Sequence, residues 1–429
     1  MKSLLQIPIL ICLILLVSCK NKSEDQKPMQ NQKSKDLTAK AILSNPDYLA
    51  ISYGGYRQNT RDKQPTIAQL KQDLKILDAI GIKILRTYNV RLPHAANVLK
   101  AIKELKSENP EFEMYVMLGA WIDCKNAWTD KPLNHNVGSV NNKEEINRAV
   151  ELANMYPDIV KVIAVGNEAM VKWAALYYVE PHIILKWVKY LQNLKKEGQL
   201  DKNLWITSSD NFASWGGGSP EYHTPELNEL LRAVDYLSIH TYPMHDTHYN
   251  PTFWGVLPKE KKLKNLEILD KVMNRALSYA VSQYDSVANY MQSLGVKKPI
   301  HIGETGWASL SNHLYGEKGS KATDEYKQAL YYNKIRAWSK KNKVACFYFE
   351  AFDEPWKAAH NPLDSENHFG LFTVDGKAKY VLWDEVDQGL FKNLKRGKNT
   401  IKKTYGGQRE DLLLDVSMPD VKKEITPNH

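Results

Sequence analysis

Short apolar runs alternate with amphipathic stretches along most of this chain. Eight of the runs are rich in β-branched and aromatic residues, a composition that is typical of strands. They lie at 50–56, 82–89, 112–121, 160–167, 204–209, 234–242, 299–305 and 345–352. Most of them are apolar at consecutive positions, as expected of parallel strands that are buried on both faces of a sheet.

The segments between these runs carry apolar residues at helical spacing. Clear examples lie at 66–80, 94–107, 143–156, 181–197 and 324–341. Gly81 follows the first of them and is a usual helix stop. Eight strands that alternate with helices predict a closed (β/α)8 TIM barrel. Because residues 46–391 exceed the roughly 250 that such a barrel needs, we expect extended loops after the strands. The longest is predicted at 244–298, with a helical portion at 263–294.

The first 19 residues are typical of a processing signal. Lys2 precedes an apolar run from Leu4 to Val17, which is shorter than the roughly 20 residues of a membrane span. The run ends in Leu-Val-Ser-Cys, which resembles the bacterial lipobox and makes Cys19 the predicted lipidation site. An ordinary secretory signal is the alternative. Residues 20–45 are polar and predict a disordered tether.

The residues after Cys19 bear on where the protein is delivered. Lys20, rather than Asp, follows the cysteine, and the resemblance to bacterial lipoproteins then implies the outer membrane. The acidic pair Glu24-Asp25 resembles the surface-export signals of some Gram-negative lipoproteins. Two cysteines remain beyond the signal, Cys124 and Cys346. A disulfide between them stays open, although a body of this size can build its core around free thiols.

The net charge of +9 is concentrated at the two ends of the chain. Residues 1–19 carry +1, residues 20–40 carry +3, and the basic tail or appendage at 392–429 carries +4. The body between them is therefore nearly neutral, so the high pI does not indicate nucleic-acid binding. We expect the stretch around Lys395-Arg396 to be a solvated tail. The hydrophobic fraction of 43% excludes a wholly disordered or collagen-like chain.

Two predicted strands deliver a glutamate at their carboxyl ends, where the active site of a TIM barrel forms. Strand four ends in Gly166-Asn167-Glu168 and strand seven in Gly303-Glu304. Burying a charge at the mouth of an apolar strand is costly unless the charge has partners. Two such carboxyl groups are the arrangement that glycosidic-bond hydrolysis requires, one as acid and one as nucleophile. The alternative is that they are ordinary loop acids or salt-bridge partners.

Four further strings extend this pattern to a family resemblance. They are Arg-Thr-Tyr-Asn at strand two, Gly-Glu-Thr-Gly-Trp at strand seven, Phe-Asp-Glu-Pro-Trp-Lys after strand eight, and the later His-Phe-Gly-Leu-Phe. Over about residues 48–384 the chain resembles glycoside hydrolase family 17, the β-1,3-glucanase family. That resemblance implies a retaining enzyme that acts on laminarin-like glucan through a covalent glycosyl-enzyme intermediate.

The resemblance also assigns roles to individual residues. It implies that Glu168 is the acid/base and Glu304 the nucleophile, and that Asn167 binds the sugar 2-hydroxyl. Further substrate-binding positions are implied at Tyr88, Tyr242, Glu354, Lys357 and Glu366, and Trp307 and Trp356 are added because they adjoin the matched strings. Tryptophans after strand ends are candidates for stacking on sugar rings, with core packing as the alternative. They are Trp121, Trp173, Trp215, Trp254, Trp307 and Trp356.

We expect no metal and no cofactor. His240, His245 and His248 cluster in sequence, but no paired cysteine or His-Glu-x-x-His string accompanies them. The expected partners are a β-glucan and, through the lipid anchor, a membrane, with the protein itself a monomer. Two alternatives stay open: a β-1,3-glucanosyltransferase that uses the same site, and a non-catalytic surface glycan-binding lipoprotein.

Overall fold

A closed eight-stranded parallel barrel forms the body of the protein in the computed structural model, which describes residues 37–422. The strands are β1 (Leu49–Ser52), β2 (Ile82–Arg86), β3 (Tyr115–Ala120), β4 (Cys124–Lys125), β5 (Asn134–Gly138), β6 (Val160–Asn167), β7 (Trp205–Asn211), β8 (Leu237–His240), β9 (Ile300–Gly306), β10 (Cys346–Phe349), β11 (Lys395–Arg396) and β12 (Asn399–Thr400). The barrel order is β1-β10-β9-β8-β7-β6-β3-β2. The predicted TIM barrel is confirmed, and each of the eight predicted strands is present.

Helices cover the outside of the barrel. They are α1 (Ala39–Leu43), α2 (Ile67–Ala79), α3 (Pro93–Glu108), α4 (Asn142–Met155), α5 (Pro181–Lys196), α6 (Pro225–Ala233), α7 (Pro243–Tyr249), α8 (Asn265–Ser293), α9 (Glu325–Asn342), α10 (Trp383–Asp387) and α11 (Arg409–Leu414). None of the described helices is long and apolar enough to cross a membrane.

The barrel order determines which strands separate the two predicted catalytic residues. Glu168 follows β6, the fourth barrel strand, and Glu304 lies in β9, the seventh. Between them lie β7 and β8. These four strands are almost wholly buried, so polar side chains at their carboxyl ends face one another in a confined space.

Local sequence signals explain where the helices begin and end. Thr66 and Gln69 form a capping box at the start of α2, with Gln69 N donating to Thr66 Oγ1 at 3.2 Å and Thr66 N donating to Gln69 Oε1 at 3.0 Å. After α2 the chain turns into β2 through Gly81, whose φ of +78° is the left-handed conformation that favours glycine. The predicted helix stop is therefore confirmed.

The folded body begins earlier than the predicted tether allows. Helix α1 lies inside the 20–45 segment, and its residues Ala39, Ile42 and Leu43 are buried. Thr38 caps it by accepting a hydrogen bond from Ala41 N at 3.2 Å. The prediction of disorder up to residue 45 is wrong from residue 39 onward, because three apolar side chains there pack into the body. The signal and Cys19 lie outside the described residues.

Two insertions extend the barrel at the mouth. The predicted helix at 263–294 is confirmed as α8, which follows a long loop after β8. The second insertion, the antiparallel hairpin β4–β5 after β3, was not predicted. Its residues are mostly polar and carry no strand-like alternation. Both cysteines beyond the signal, Cys124 and Cys346, are buried and free.

The C-terminal segment packs against the body through a buried ion pair. Arg396, only 2% exposed, holds the fully buried carboxylate of Asp73 in a two-bond contact at 3.1 and 3.2 Å. Arg57 binds the same carboxylate at 2.7 Å, and the Arg396 guanidinium lies 3.9 Å from the ring centroid of Phe352. The expectation of a solvated tail is wrong for Arg396, because a helical aspartate inside the body requires its charge.

Loss of this contact should destabilise the fold. Arg396→Ala leaves Asp73 with one guanidinium partner in place of two, and we expect the free energy of unfolding to fall by about 3 kcal/mol. The neighbouring exposed Lys395→Ala is the control, with an expected change within about 0.5 kcal/mol. Denaturant titration of both variants is the measurement. Equal stability of the two variants would contradict a structural role for the C-terminal segment.

Candidate active site

Glu304 is a buried carboxylate held by three donors. Its Oε1 accepts a hydrogen bond from the Tyr242 hydroxyl at 2.6 Å, and its Oε2 accepts one from the Tyr88 hydroxyl at 3.1 Å. Arg86 forms an ion pair with the same Oε2. Burial by itself would raise the pKa of Glu304, but the Arg86 charge and the Tyr242 hydrogen bond outweigh it and lower the pKa to about 2. Glu304 is therefore ionised at neutral pH.

Glu168 occupies the opposite electrostatic environment. Burial, followed by the nearby charge of Glu304, raises its pKa to about 8. Its backbone has a φ of +46°, two residues after Gly166 at +84°. A Cβ on Gly166 would lie 2.9 Å from the Cβ of Ala169. Strained backbone of this kind is found where a side chain must be aimed at one point. Glu168 is largely protonated at neutral pH.

A chain of hydrogen bonds behind Glu168 comes from the two intervening strands. His240 Nδ1 lies 3.0 Å from Glu168 Oε1, and His240 Nε2 lies 2.7 Å from Ser209 Oγ. Ser209 Oγ in turn lies 2.9 Å from Ser238 Oγ. Burial lowers the pKa of His240 to about 4, so the imidazole is neutral and has one N–H. If the Ser209 hydroxyl donates to Nε2, the N–H is on Nδ1 and donates to Glu168.

Sequence reasoning treated His240 only as a metal candidate and missed this role. The signal was present, because His240 lies near the carboxyl end of predicted strand six, two positions before Tyr242. Within residues 37–422, no group of three or more His, Cys, Asp or Glu side chains is arranged to hold a metal ion.

Arg86 contacts both β6 and β9, through Asn167 and Glu304 respectively. Its Nη2 donates to Asn167 Oδ1, while its Nη1 binds Glu304. The guanidinium carbon lies 4.7 Å from the ring centroid of Tyr88, and the side chain is almost fully buried. Tyr88 and Tyr242 therefore contact Glu304 directly, and Asn167 is linked to it through Arg86. Arg86 itself was noticed only as part of a motif.

A second charged group lies after β10. Lys357 Nζ is 2.7 Å from Glu350 Oε2 and 3.6 Å from Glu354 Oε2. Glu354 also accepts hydrogen bonds from Tyr56 N at 3.0 Å and from Trp356 Nε1 at 3.1 Å. Burial raises the pKa of Glu350 well above its ordinary value. The predicted residues Glu354, Trp356 and Lys357 thus form one network, to which the structure adds Glu350.

Glu366 and the ring of Trp356 are more exposed to solvent than Glu350, Glu354 and Lys357. Glu366 is half exposed, with Oε1 3.7 Å from His245 Nε2. Trp356 is partly exposed, and the Arg61 guanidinium carbon lies 4.3 Å from the Trp356 ring centroid. One face of this indole is therefore already covered by a protein cation.

Trp307 is a core residue. Its side chain is 0% exposed, its Nε1 donates to Ala322 O at 2.8 Å, and its ring contacts those of Trp254 and Tyr331. The prediction that Trp307 binds sugar is wrong, because a fully enclosed ring presents no face to a ligand. Adjacency to Glu304 in sequence suggested the site, but Thr305, Gly306 and Trp307 are all buried, and Thr305 Oγ1 lies 2.7 Å from the Tyr331 hydroxyl.

Known proteins share this architecture. A family model described as "BtgE/BtgC glycoside hydrolase domain" matches residues 50–370, about three quarters of the chain. The crystal structure of an endo-laminarinase from Formosa Hel1_33_131 is 69% identical, with a TM-score of 0.91. The match covers 92% of this chain and 100% of the laminarinase chain.

More distant proteins also match. A glucan 1,3-beta-glucosidase from Arthroderma benhamiae is 24% identical over 341 residues, 77% of this chain and 89% of that protein. An active-site mutant of Rhizomucor miehei beta-1,3-glucanosyltransferase, solved in complex with laminaritriose, is 21% identical with a TM-score of 0.52. It covers 78% of this chain and 96% of that chain, and at this distance it shows the fold alone.

The opposite pKa shifts of the two carboxyl groups are testable by substitution. Glu304→Gln removes the negative charge that opposes ionisation of Glu168, so we expect the pKa of Glu168 to fall below about 8. Carbon-13 NMR of labelled glutamate side chains across a pH titration measures it. Glu366→Gln is the graded control, because the half-exposed Glu366 contributes least to the shift. An unchanged Glu168 titration in Glu304→Gln would contradict the coupling.

Proposed function

The chain belongs to the BtgE/BtgC glycoside hydrolase family, and on that premise we propose that it is a retaining β-1,3-glucanase acting on laminarin-like glucan. The observation that carries the proposal is the pair of carboxyl groups at one barrel mouth with opposite protonation states. Glu304, with its pKa lowered to about 2, is ionised, and Glu168, with its pKa raised to about 8, holds a proton. A nucleophile and a general acid require these two states at the same pH.

The first half-reaction uses both carboxyl groups at once. The ionised Glu304 attacks the anomeric carbon, while Glu168 transfers its proton to the glycosidic oxygen, so that the bond to the leaving sugar breaks. A covalent glycosyl-enzyme remains on Glu304. With the proton of His240 on Nδ1, its N–H donates to Oε1 of Glu168, and Oε2 then carries the transferred proton.

The second half-reaction reverses these roles. Glu168, now ionised, removes a proton from water, and the resulting hydroxide displaces Glu304 from the anomeric carbon with a second inversion. Arg86 and Tyr242 stabilise the carboxylate as it leaves, since both already bind it in the free site. Net retention follows from the two inversions.

Substrate and mode of action are supported by the relatives. The 69% identical neighbour over its whole chain is an endo-laminarinase, and we propose internal cleavage of β-1,3-glucan for this chain as well. The four strings at strands two, seven and eight support a place in glycoside hydrolase family 17. No observation favours the glucanosyltransferase alternative, because that neighbour shares the fold alone.

The N-terminal sequence supports a location at the cell envelope. We propose that Cys19 is lipidated and anchors the enzyme to the bacterial outer membrane, through a tether that ends before the folded body. The support is the Leu-Val-Ser-Cys string after an apolar run too short to span a membrane. A soluble-polysaccharide substrate outside the cytoplasm fits this location.

Rescue by azide tests both catalytic assignments. Glu304→Gly and Glu168→Ala should each lower turnover of laminarin by at least roughly 10³-fold. With a dinitrophenyl β-laminaribioside, whose leaving group departs without a proton, azide should yield the α-glycosyl azide with the first variant, by direct displacement, and the β-glycosyl azide with the second, from the glycosyl-enzyme. Product NMR distinguishes them. Glu221→Gln, a surface carboxylate paired with Lys172, should retain wild-type activity. The same anomer from both variants would contradict the assignments.

Lipidation is testable with the two cysteines of the signal. Cells given radiolabelled palmitate should label the wild-type protein and the Cys12→Ala variant, but not Cys19→Ala, because acylation needs the thiol at the cleavage site. Membrane fractionation should place only the labelled forms in the outer membrane. Equal labelling of Cys19→Ala would overturn the anchor.

A further inference from the structure

Three aromatic rings form a surface beside the catalytic mouth. Trp121 follows β3, Trp128 lies between β4 and β5, and Tyr177 lies in the loop after β6. Trp128 and Tyr177 are stacked with centroids 5.3 Å apart and an interplanar angle of 20°, and Trp121 lies 5.1 Å from Tyr177. We call these three residues the aromatic platform. Trp128 is 57% exposed, so much of its ring faces solvent.

The conformation that holds the exposed Trp128 ring costs free energy. Trp128 has a φ of +62°, a left-handed conformation that is uncommon for a bulky residue. Its Nε1 donates at 3.2 Å to Oδ2 of the buried Asp123. The other oxygen of Asp123 is also buried and accepts no hydrogen bond from any described residue. Backbone strain and a partly unsatisfied buried carboxylate both cost free energy, so the ring is held in place at a cost that packing does not explain.

The loop that carries the platform also carries the catalytic acid. Tyr177 lies nine residues after Glu168, and the hydrogen bond from Val179 N to Ala169 O, at 2.7 Å, closes the loop back onto its start. Cys124 N donates to Tyr177 O at 3.1 Å and so ties the hairpin to this loop. Consistent with this placement, burial and then the charge of Glu168 raise the pKa of Tyr177. The platform is therefore on the acid's side of the mouth.

From this geometry we propose that the aromatic platform binds the leaving portion of the β-glucan chain, on the reducing-end side of the bond that is cleaved. The inference rests on the proposed function. Glu168 protonates the oxygen that departs with the leaving sugar, so that sugar lies on the side of Glu168. The C–H faces of a β-linked glucosyl ring stack on aromatic faces, and a neutral ring needs no charged partner. An acceptor sugar that attacks the glycosyl-enzyme occupies the same surface, by microscopic reversibility.

Sugar binding to the aromatic platform can be measured separately from glycosylation by using a trapped glycosyl-enzyme. A 2-deoxy-2-fluoro-β-laminaribioside with a dinitrophenyl leaving group should label Glu304, and laminaribiose should then release the label by accepting the sugar. We expect Trp128→Ala to raise the half-saturating laminaribiose concentration about tenfold, and Trp128→Phe to raise it less. Release by water alone and the rate of labelling should be unchanged, because neither uses the platform.

Tyr190→Ala is the matched control. Tyr190 is 39% exposed on α5, one of the helices that cover the outside of the barrel, so the half-saturating laminaribiose concentration of this variant should stay within about twofold of wild type. Wild-type saturation in Trp128→Ala, or a loss that falls on the rate of labelling instead, would overturn this inference alone. A wild-type enzyme that is never labelled and releases no reducing ends from laminarin would overturn the proposed function with it.

Discussion

The buried guanidinium of Arg86 is the interaction on which the rest of the site depends. It is almost fully enclosed, yet it binds Glu304 through one nitrogen and Asn167 through the other. Without a cation at this point, burial would protonate Glu304, and the nucleophile would lose its charge. Because Glu304 stays ionised, its charge in turn adds to the burial that keeps the proton on Glu168. The charge of Arg86 thus keeps Glu304 ionised and, through the charge of Glu304, helps to keep Glu168 protonated.

The barrel makes this pairing possible by bringing strands close at their ends. A Cβ on Gly303 would lie 2.0 Å from Ser238 Oγ and 2.4 Å from Ser209 Oγ, so only glycine allows the serines and His240 to pack behind the two glutamates. At Gly119 a Cβ would lie 2.4 Å from Thr87 O, which keeps β3 close to the segment that follows Arg86. The catalytic arrangement therefore depends on glycine at Gly303 and Gly119 as well as on the charged side chains themselves.

Features that follow from local physics could be predicted from the sequence, and those that depend on distant partners could not. Continuous apolar runs identify the eight strands because parallel strands are buried on both faces, and Glu168 and Glu304 stand out as charges at the ends of such runs. The partner of Arg396 is Asp73, more than three hundred positions away, and no spacing in the chain indicates it. Trp307 was expected to bind sugar and is buried, whereas Trp128 was not among the expected residues and is exposed. The reason is the same, because exposure depends on which neighbours cover a ring.

The balance of charge at the mouth explains how an acidic cluster accommodates a neutral sugar. Burial raises the pKa of Glu350 and, together with the charge of Glu304, raises the pKa of Glu168 to about 8, so Glu168 holds its proton and adds no charge to the local field. Glu304 is paired with Arg86, and Lys357 is shared between Glu350 and Glu354. Two buried cations thus offset negative charge at the mouth, and the basic excess of the whole chain lies at its ends. When Glu168 gives up its proton it becomes a carboxylate, while Glu304 loses its charge as it bonds to the anomeric carbon. The two carboxyl groups together therefore carry one negative charge before and after the step, and Arg86 remains beside Glu304 throughout.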